Sequence, residues 1–127
     1  MNVLVDTHVY LWWLTSNRRL KREARELLQD PTTLVHVSAA SIWEIAIKMA
    51  LGRLEVDTGV DFMAEIAANH FTPLSITPMH AWHAGSLPRY HDDPFDRMLI
   101  AQAQLEGLSI VTHDGAFESY QVNLIPT

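Results

Sequence analysis

The chain contains no cysteine. Disulfides, thiolate metal sites and thiol nucleophiles are therefore excluded, and the composition fits a cytoplasmic protein in a reducing compartment. No stretch approaches the about 18 apolar residues of a membrane-spanning helix. The N-terminal segment MNVLVDTHVYLWWL lacks a basic leading region and a small-residue cleavage site, and it carries Asp6 and His8. It reads as a first strand and helix rather than a signal peptide. Internal repeats, low-complexity stretches and linkers are also missing. Positive charge is scarce: 9 Lys and Arg against 15 Asp and Glu give a formal net charge of -6. That balance argues against a broad nucleic-acid-binding surface, which works by neutralising phosphates. With 127 residues, 48% of them hydrophobic, the chain reads as one domain spanning residues 1–127 with a buried core.

The few basic residues are bunched. Five of the nine are Arg18, Arg19, Lys21, Arg22 and Arg25. With Glu23 and Glu26 interspersed they make a solvated helix face, and the same residues can form a phosphate-steering ridge. Apolar runs at 3–5, 34–37, 71–76, 109–112 and 122–125 predict strands. Between them, helical spacing predicts helices at 8–15, 19–29, 38–51, 59–69, from Pro78 onward, and 94–106. Gly52 and Gly107 close two of these, and Pro78 and Pro94 open two others. Residues 87–92 read as a polar loop. Strands alternating with helices imply an α/β fold with a mostly parallel sheet covered on both faces.

In such a sheet, ligands bind beyond the carboxyl ends of the strands. Asp6 ends the first predicted strand, and Asp114 follows the strand at 109–112. Glu44 and Asp96 lie near the starts of helices. Four carboxylates from distant segments can therefore converge on one edge. Each also has a local explanation. Asp6 can cap the first helix. Ser41-Ile-Trp-Glu44 matches a capping box. Asp93-Pro94-Phe95-Asp96 fits an N-cap, a first-turn Pro and a first-turn acid, which leaves Asp93 either a cap or part of the site. Asp114-Gly115 is turn chemistry. Converging carboxylates repel and call for protons or cations. With no thiolate and no third ligand for the pair His80 and His83, hard cations such as Mg²⁺ or Mn²⁺ fit best. His91 and His113 flank the late acids and read as hydrogen-bonded side chains. Trp12, Trp13 and Trp43 read as core or interface aromatics rather than base-stacking platforms. No Ser, Cys or His nucleophile with a supporting base stands out. Asp6 sits where a phosphatase nucleophile would, but Thr7-His8 replaces the usual D-x-D, and the paired acids of a receiver domain are absent.

The blocks VDTHVYLWW, SAASIWEIAIKMALGRL, HDDPFDRMLIAQAQLEG and IVTHD occur in this order and span nearly the whole chain. Through them the sequence resembles the PIN-domain ribonucleases, and within these the VapC-type toxins of toxin–antitoxin pairs. The resemblance implies a three-layer α/β/α sandwich and an acidic pocket that binds Mg²⁺ or Mn²⁺. It implies catalytic roles for Asp6, Glu44, Asp96 and Asp114, with Asp6, Asp96 and Asp114 holding metal. Thr7 and Thr112 match supporting hydroxyls. Asp93 stays open between a helix cap and a supporting acid of the site, and Arg97, directly after Asp96, reads as a residue that can meet an acid or a phosphate. It further implies RNA as substrate, products with 5′-phosphate and 3′-hydroxyl ends, a homodimer, and an antitoxin whose tail covers the acidic pocket. The alternatives are a non-catalytic PIN-like binding module and a nuclease that is not a toxin.

Overall fold

A computed structural model describes residues 1–54 and 59–127. Its elements are β1 (Asn2–Val5), α1 (Thr7–Leu14), α2 (Arg22–Gln29), β2 (Leu34–Ser38), α3 (Ala39–Ala50), α4 (Phe62–Ala68), β3 (Thr72–Leu74), α5 (Pro78–Ser86), α6 (Pro94–Glu106), β4 (Ser109–Thr112), a short 3₁₀ turn (Gly115–Ser119) and β5 (Leu124–Pro126). The five strands form one sheet in the order β3-β2-β1-β4-β5, and all four pairings are parallel.

Strand side chains alternate between faces, and the core divides accordingly. Val3 and Val5 join Val35, Val37 and Val111 on one face, under α1, α2, α3 and α4. Leu4 and Ile110 face the other way, against α5, α6 and Phe117 of the 3₁₀ turn. The result is the three-layer sandwich expected from the alternation of elements. Central β1 is buried on both sides, which is why its residues Val3 to Val5 are uniformly apolar. Pro73 is tolerated because β3 is an edge strand, where a missing N–H leaves no ladder bond unmade.

Element starts are fixed by local chemistry. Asp6 caps α1 by accepting from Val9 N at 2.8 Å. Asp93 caps α6 by accepting from Phe95 N and Asp96 N, and Pro94 supplies a pre-set φ in the first turn. Gly107 ends α6 with φ 68, a left-handed angle that glycine adopts without strain. Two expectations need correction. α2 begins at Arg22 rather than residue 19, because Asn17 captures Arg19 N and Leu20 N in a turn ahead of it. The capping box expected at Ser41–Glu44 does not form. Ser38 caps α3 through Ala40 N, which places Ser41 and Glu44 inside the helix. A capping box does occur at Thr77 and His80 of α5, and it uses one of the two histidines weighed as a metal pair.

Candidate active site

Strand order reverses between β1 and β4: the chain moves outward through β2 and β3 on one side and through β5 on the other. At such a switch point the connections from neighbouring strands part and leave a crevice at the carboxyl edge. Asp6 leaves β1 there and Asp114 lies just beyond β4. Asp6 N donates to Val111 O at 3.1 Å, so the sheet ladder itself carries Asp6 to the crevice.

One hydroxyl ties these two acids together. Thr112 Oγ1 donates to Asp6 Oδ2 at 2.6 Å and accepts from Asp114 N at 2.9 Å. Asp6 Oδ1 takes Val9 N–H, so both of its oxygens are oriented. Asp6 is almost fully buried. Burial raises its pKa, while the Thr112 and Val9 hydrogen bonds and nearby His8 oppose the rise and Asp114 adds to it.

Glu44 is buried in α3 beside them. Its Oε1 accepts from Thr7 Oγ1 at 2.6 Å, and the same hydroxyl lies 3.0 Å from Ser41 Oγ. Its Oε2 pairs with Lys48 one helical turn on, at 2.7 Å. Thr7 is therefore the strut between the first acid's helix and the second acid.

The third group gathers at the start of α6. His91 Nε2 lies 2.7 Å from Asp96 Oδ2, with the two side chains 23% and 17% exposed. Burial pushes the Asp96 carboxyl up to about 6, against the lowering effect of the His91 hydrogen bond, and neighbouring Asp93 and Glu44 raise it further. The bond to Asp96 raises the His91 pKa, despite partial burial. His91, Asp93 and Asp96 each offer a ligand atom within 4.8 Å of the others. Among the described residues no other set of three or more His and acidic groups is this close. The four carboxylates thus share one edge without closing into a single tight knot. Asp114 influences both Asp6 and His91, and Glu44 influences Asp96.

Arg97 has other partners than the phosphate envisaged for it. Its guanidinium donates to Ala84 O, Leu87 O, Pro88 O, His91 O and Tyr120 Oη. Tyr120 Oη also accepts from His91 N and donates to Pro88 O. Together they fasten the 87–92 loop, and His91 is set against Asp96. The spacing HDDPFD gave no warning of this, because a loop side chain takes its direction from tertiary contacts. His113 Nδ1 meets Thr127 O at 2.6 Å. Trp12 is buried in the core, while Trp43 is largely exposed with its ring edge-on to Phe95. His80 bonds Glu106 and His83 bonds Gln104, so this pair shares no ligand position.

A parallel sheet with Asp6 and Asp114 at its switch point defines a class, and the PIN domain family model matches residues 3–123. The chain belongs to the PIN-domain family. Among curated proteins it is 32% identical over 120 residues to Ribonuclease VapC22 of Mycobacterium tuberculosis, covering 94% of this chain and 92% of that one. Among solved structures it is similar in fold to VapBC2 from Rickettsia felis bound to a promoter DNA fragment, with a TM-score of 0.74, 12% identity, and coverage of 99% and 98% of the two chains. A toxin–antitoxin complex from Klebsiella pneumoniae matches with a TM-score of 0.66 and 21% identity, covering 97% and 95%. No helix among the described residues is long and apolar enough to cross a membrane.

Proposed function

We propose that this chain is a Mg²⁺- or Mn²⁺-dependent endoribonuclease and the toxin of a toxin–antitoxin pair, working through Asp6, Glu44, Asp96 and Asp114. What supports this reading is that Asp6 and Asp114 stand at the β1/β4 switch point, with Glu44 and Asp96 in electrostatic reach of each other, in a chain 32% identical to a ribonuclease over most of its length.

The donors fit a hard cation. They are carboxylate oxygens and one imidazole, with Lys48 on Glu44 as the one Lys or Arg paired to any of the four acids among the described residues. Asp6, Asp96 and Asp114 would hold the ion, with Asp93 and His91 beside Asp96. Once bound, the ion supplies water activation and offsets charge on the phosphate. The chain's own residues do the rest. Thr112 and Val9 N–H hold both oxygens of Asp6 toward the crevice. Thr7 and Lys48 do the same for Glu44. His91 Nε2, 2.7 Å from Asp96 Oδ2, orients the Asp96 carboxylate for the ion. Water oxygen bonds to phosphorus and gives up a proton to solvent, the bond from phosphorus to the 3′ oxygen breaks, and that oxygen takes a proton from solvent. The products carry 5′-phosphate and 3′-hydroxyl ends.

One partner fits the same charge. An acidic pocket accepts an Arg from an antitoxin tail by bidentate hydrogen bonding, and the chain is read as a homodimer. Incubation of labelled RNA with purified protein and Mn²⁺ tests the nuclease reading. Cleavage that survives in full in both Asp6→Asn and Asp96→Asn sinks the site assignment. A tagged chain that captures no small partner from its host counts against the toxin role alone.

A further inference from the structure

With Arg97 committed to loop carbonyls, a different guanidinium stands at the acids. A cleft of about 340 Å³ is lined by Asp6 and Asp114, by His8, Trp12 and His113, and by Arg19. Arg19 sits in the turn between α1 and α2, where Asn17 Oδ1 pins its backbone N–H at 2.9 Å. The side chain is exposed. Among the described residues its guanidinium has no hydrogen bond and no ion pair, although it borders a cleft that holds two acids. Its neighbours divide in two. Arg22 is paired with Glu26 and Arg25 donates to Asn17 O. Arg18 and Lys21 are exposed, with side chains uncommitted among the described residues. The basic stretch therefore offers Arg18, Arg19 and Lys21 as free cations, and Arg19 alone of them lines the cleft.

A phosphodiester approaching buried carboxylates is repelled until a cation lies on its route. A guanidinium is suited to that place, because its planar fork holds two phosphate oxygens at once. A chain with net charge -6 has little other positive surface with which to guide a polyanion. We propose that Arg19 is a substrate-binding residue: it holds a backbone phosphate next to the one attacked, and the strand enters over the Arg18–Lys21 turn. The exposed imidazoles of His8 and His113 edge the same cleft. A cleft of about 340 Å³ has room for one unstacked nucleotide of a single strand rather than a duplex. The assignment rests on the nuclease reading.

The test measures affinity for a short single-stranded RNA by fluorescence anisotropy across a salt series, in an Asp96→Asn background that blocks cleavage. Adding Arg19→Gln is expected to raise Kd about 10-fold at low salt. It should also flatten the dependence of log Kd on log salt by about 0.7, one single-strand phosphate contact. Arg19→Lys should recover the slope but only part of the affinity. Arg53→Gln, in the turn beyond the far end of α3, should change neither. Because Arg19 is exposed, its variants should melt like their parent. Unchanged Kd and slope in Arg19→Gln overturn the assignment. If wild type still cleaves RNA with Mn²⁺ in that case, only Arg19 falls. If wild type neither binds nor cleaves RNA, the nuclease reading falls with it.

Discussion

Asp6 has a separate task for each carboxylate oxygen: Oδ1 caps α1 and Oδ2 receives the Thr112 hydroxyl. The two can be separated by substitution. Asn caps a helix as well as Asp does, so Asp6→Asn should melt close to wild type while losing Mn²⁺-dependent RNA cleavage by at least about 100-fold. A large drop in melting temperature would instead show that the bond Oδ2 accepts from Thr112, which an amide nitrogen cannot accept, is mainly structural. Thr112→Val addresses the other oxygen. It leaves Asp6 Oδ2 without its donor and Asp114 N without its acceptor, at a cost of about 1–3 kcal/mol in urea denaturation. Stability within about 0.5 kcal/mol of wild type would show that water replaces the hydroxyl without penalty. At this scale the sequence spoke clearly of Asp6 and Asp114, because strand ends point at the ligand edge. It gave His91 as a hydrogen-bonded neighbour of the late acids but not its direction, which comes from Arg97 and Tyr120 on other elements.

Among the elements, α6 was legible to the residue. Asp93, Pro94 and Gly107 mark its ends by mechanisms that depend on immediate neighbours alone. α3 was harder, because Ser38 and Ser41 both have an acceptor hydroxyl at a plausible start. The structure uses Ser38, since β2 runs directly into the helix and leaves no residue between them. Glu44 was thereby freed from capping and buried against Thr7, a contact between α1 and α3 that no local pattern encodes. The double reading of Asp93, as cap and as site acid, is resolvable at this level. Asp93→Ser keeps a capping oxygen and removes the carboxylate, while Asp93→Ala removes both. Asp93→Ala should lose about 1 kcal/mol of stability and Asp93→Ser only a few tenths. If Asp93 also faces the ion, both should weaken Mn²⁺ binding measured by calorimetry. Wild-type affinity in Asp93→Ser would leave Asp93 a cap and nothing more.

For the molecule as a whole, the acidic edge makes stability depend on pH and cation together. Asp96 titrates at about 6 in the folded chain against 3.8 in the unfolded one, so folding takes up a proton between those values. The buried carboxylate is harmless while protonated and becomes a cost as pH rises from about 4 to 6. His91 acts in the same direction: its raised pKa contributes stability below about 6.5 that is lost as pH climbs through the folded value. The metal-free protein should therefore melt at lower temperature at pH 8 than at pH 5.5, from these two groups. A divalent ion reverses the sign. It needs Asp96 ionised and His91 neutral, so binding strengthens over the same range. Saturating Mn²⁺, at about 100 times its Kd, should add about 2.7 kcal/mol. The gap between melting curves with and without Mn²⁺ should open as pH rises through 6 and shrink sharply in Asp96→Asn. Thermal melts at pH 5.5, 6.5 and 8, with and without Mn²⁺, decide it. A gap that is flat with pH, or unchanged in Asp96→Asn, would move the ion away from the His91–Asp96 pair and onto Asp6 and Asp114 across the crevice.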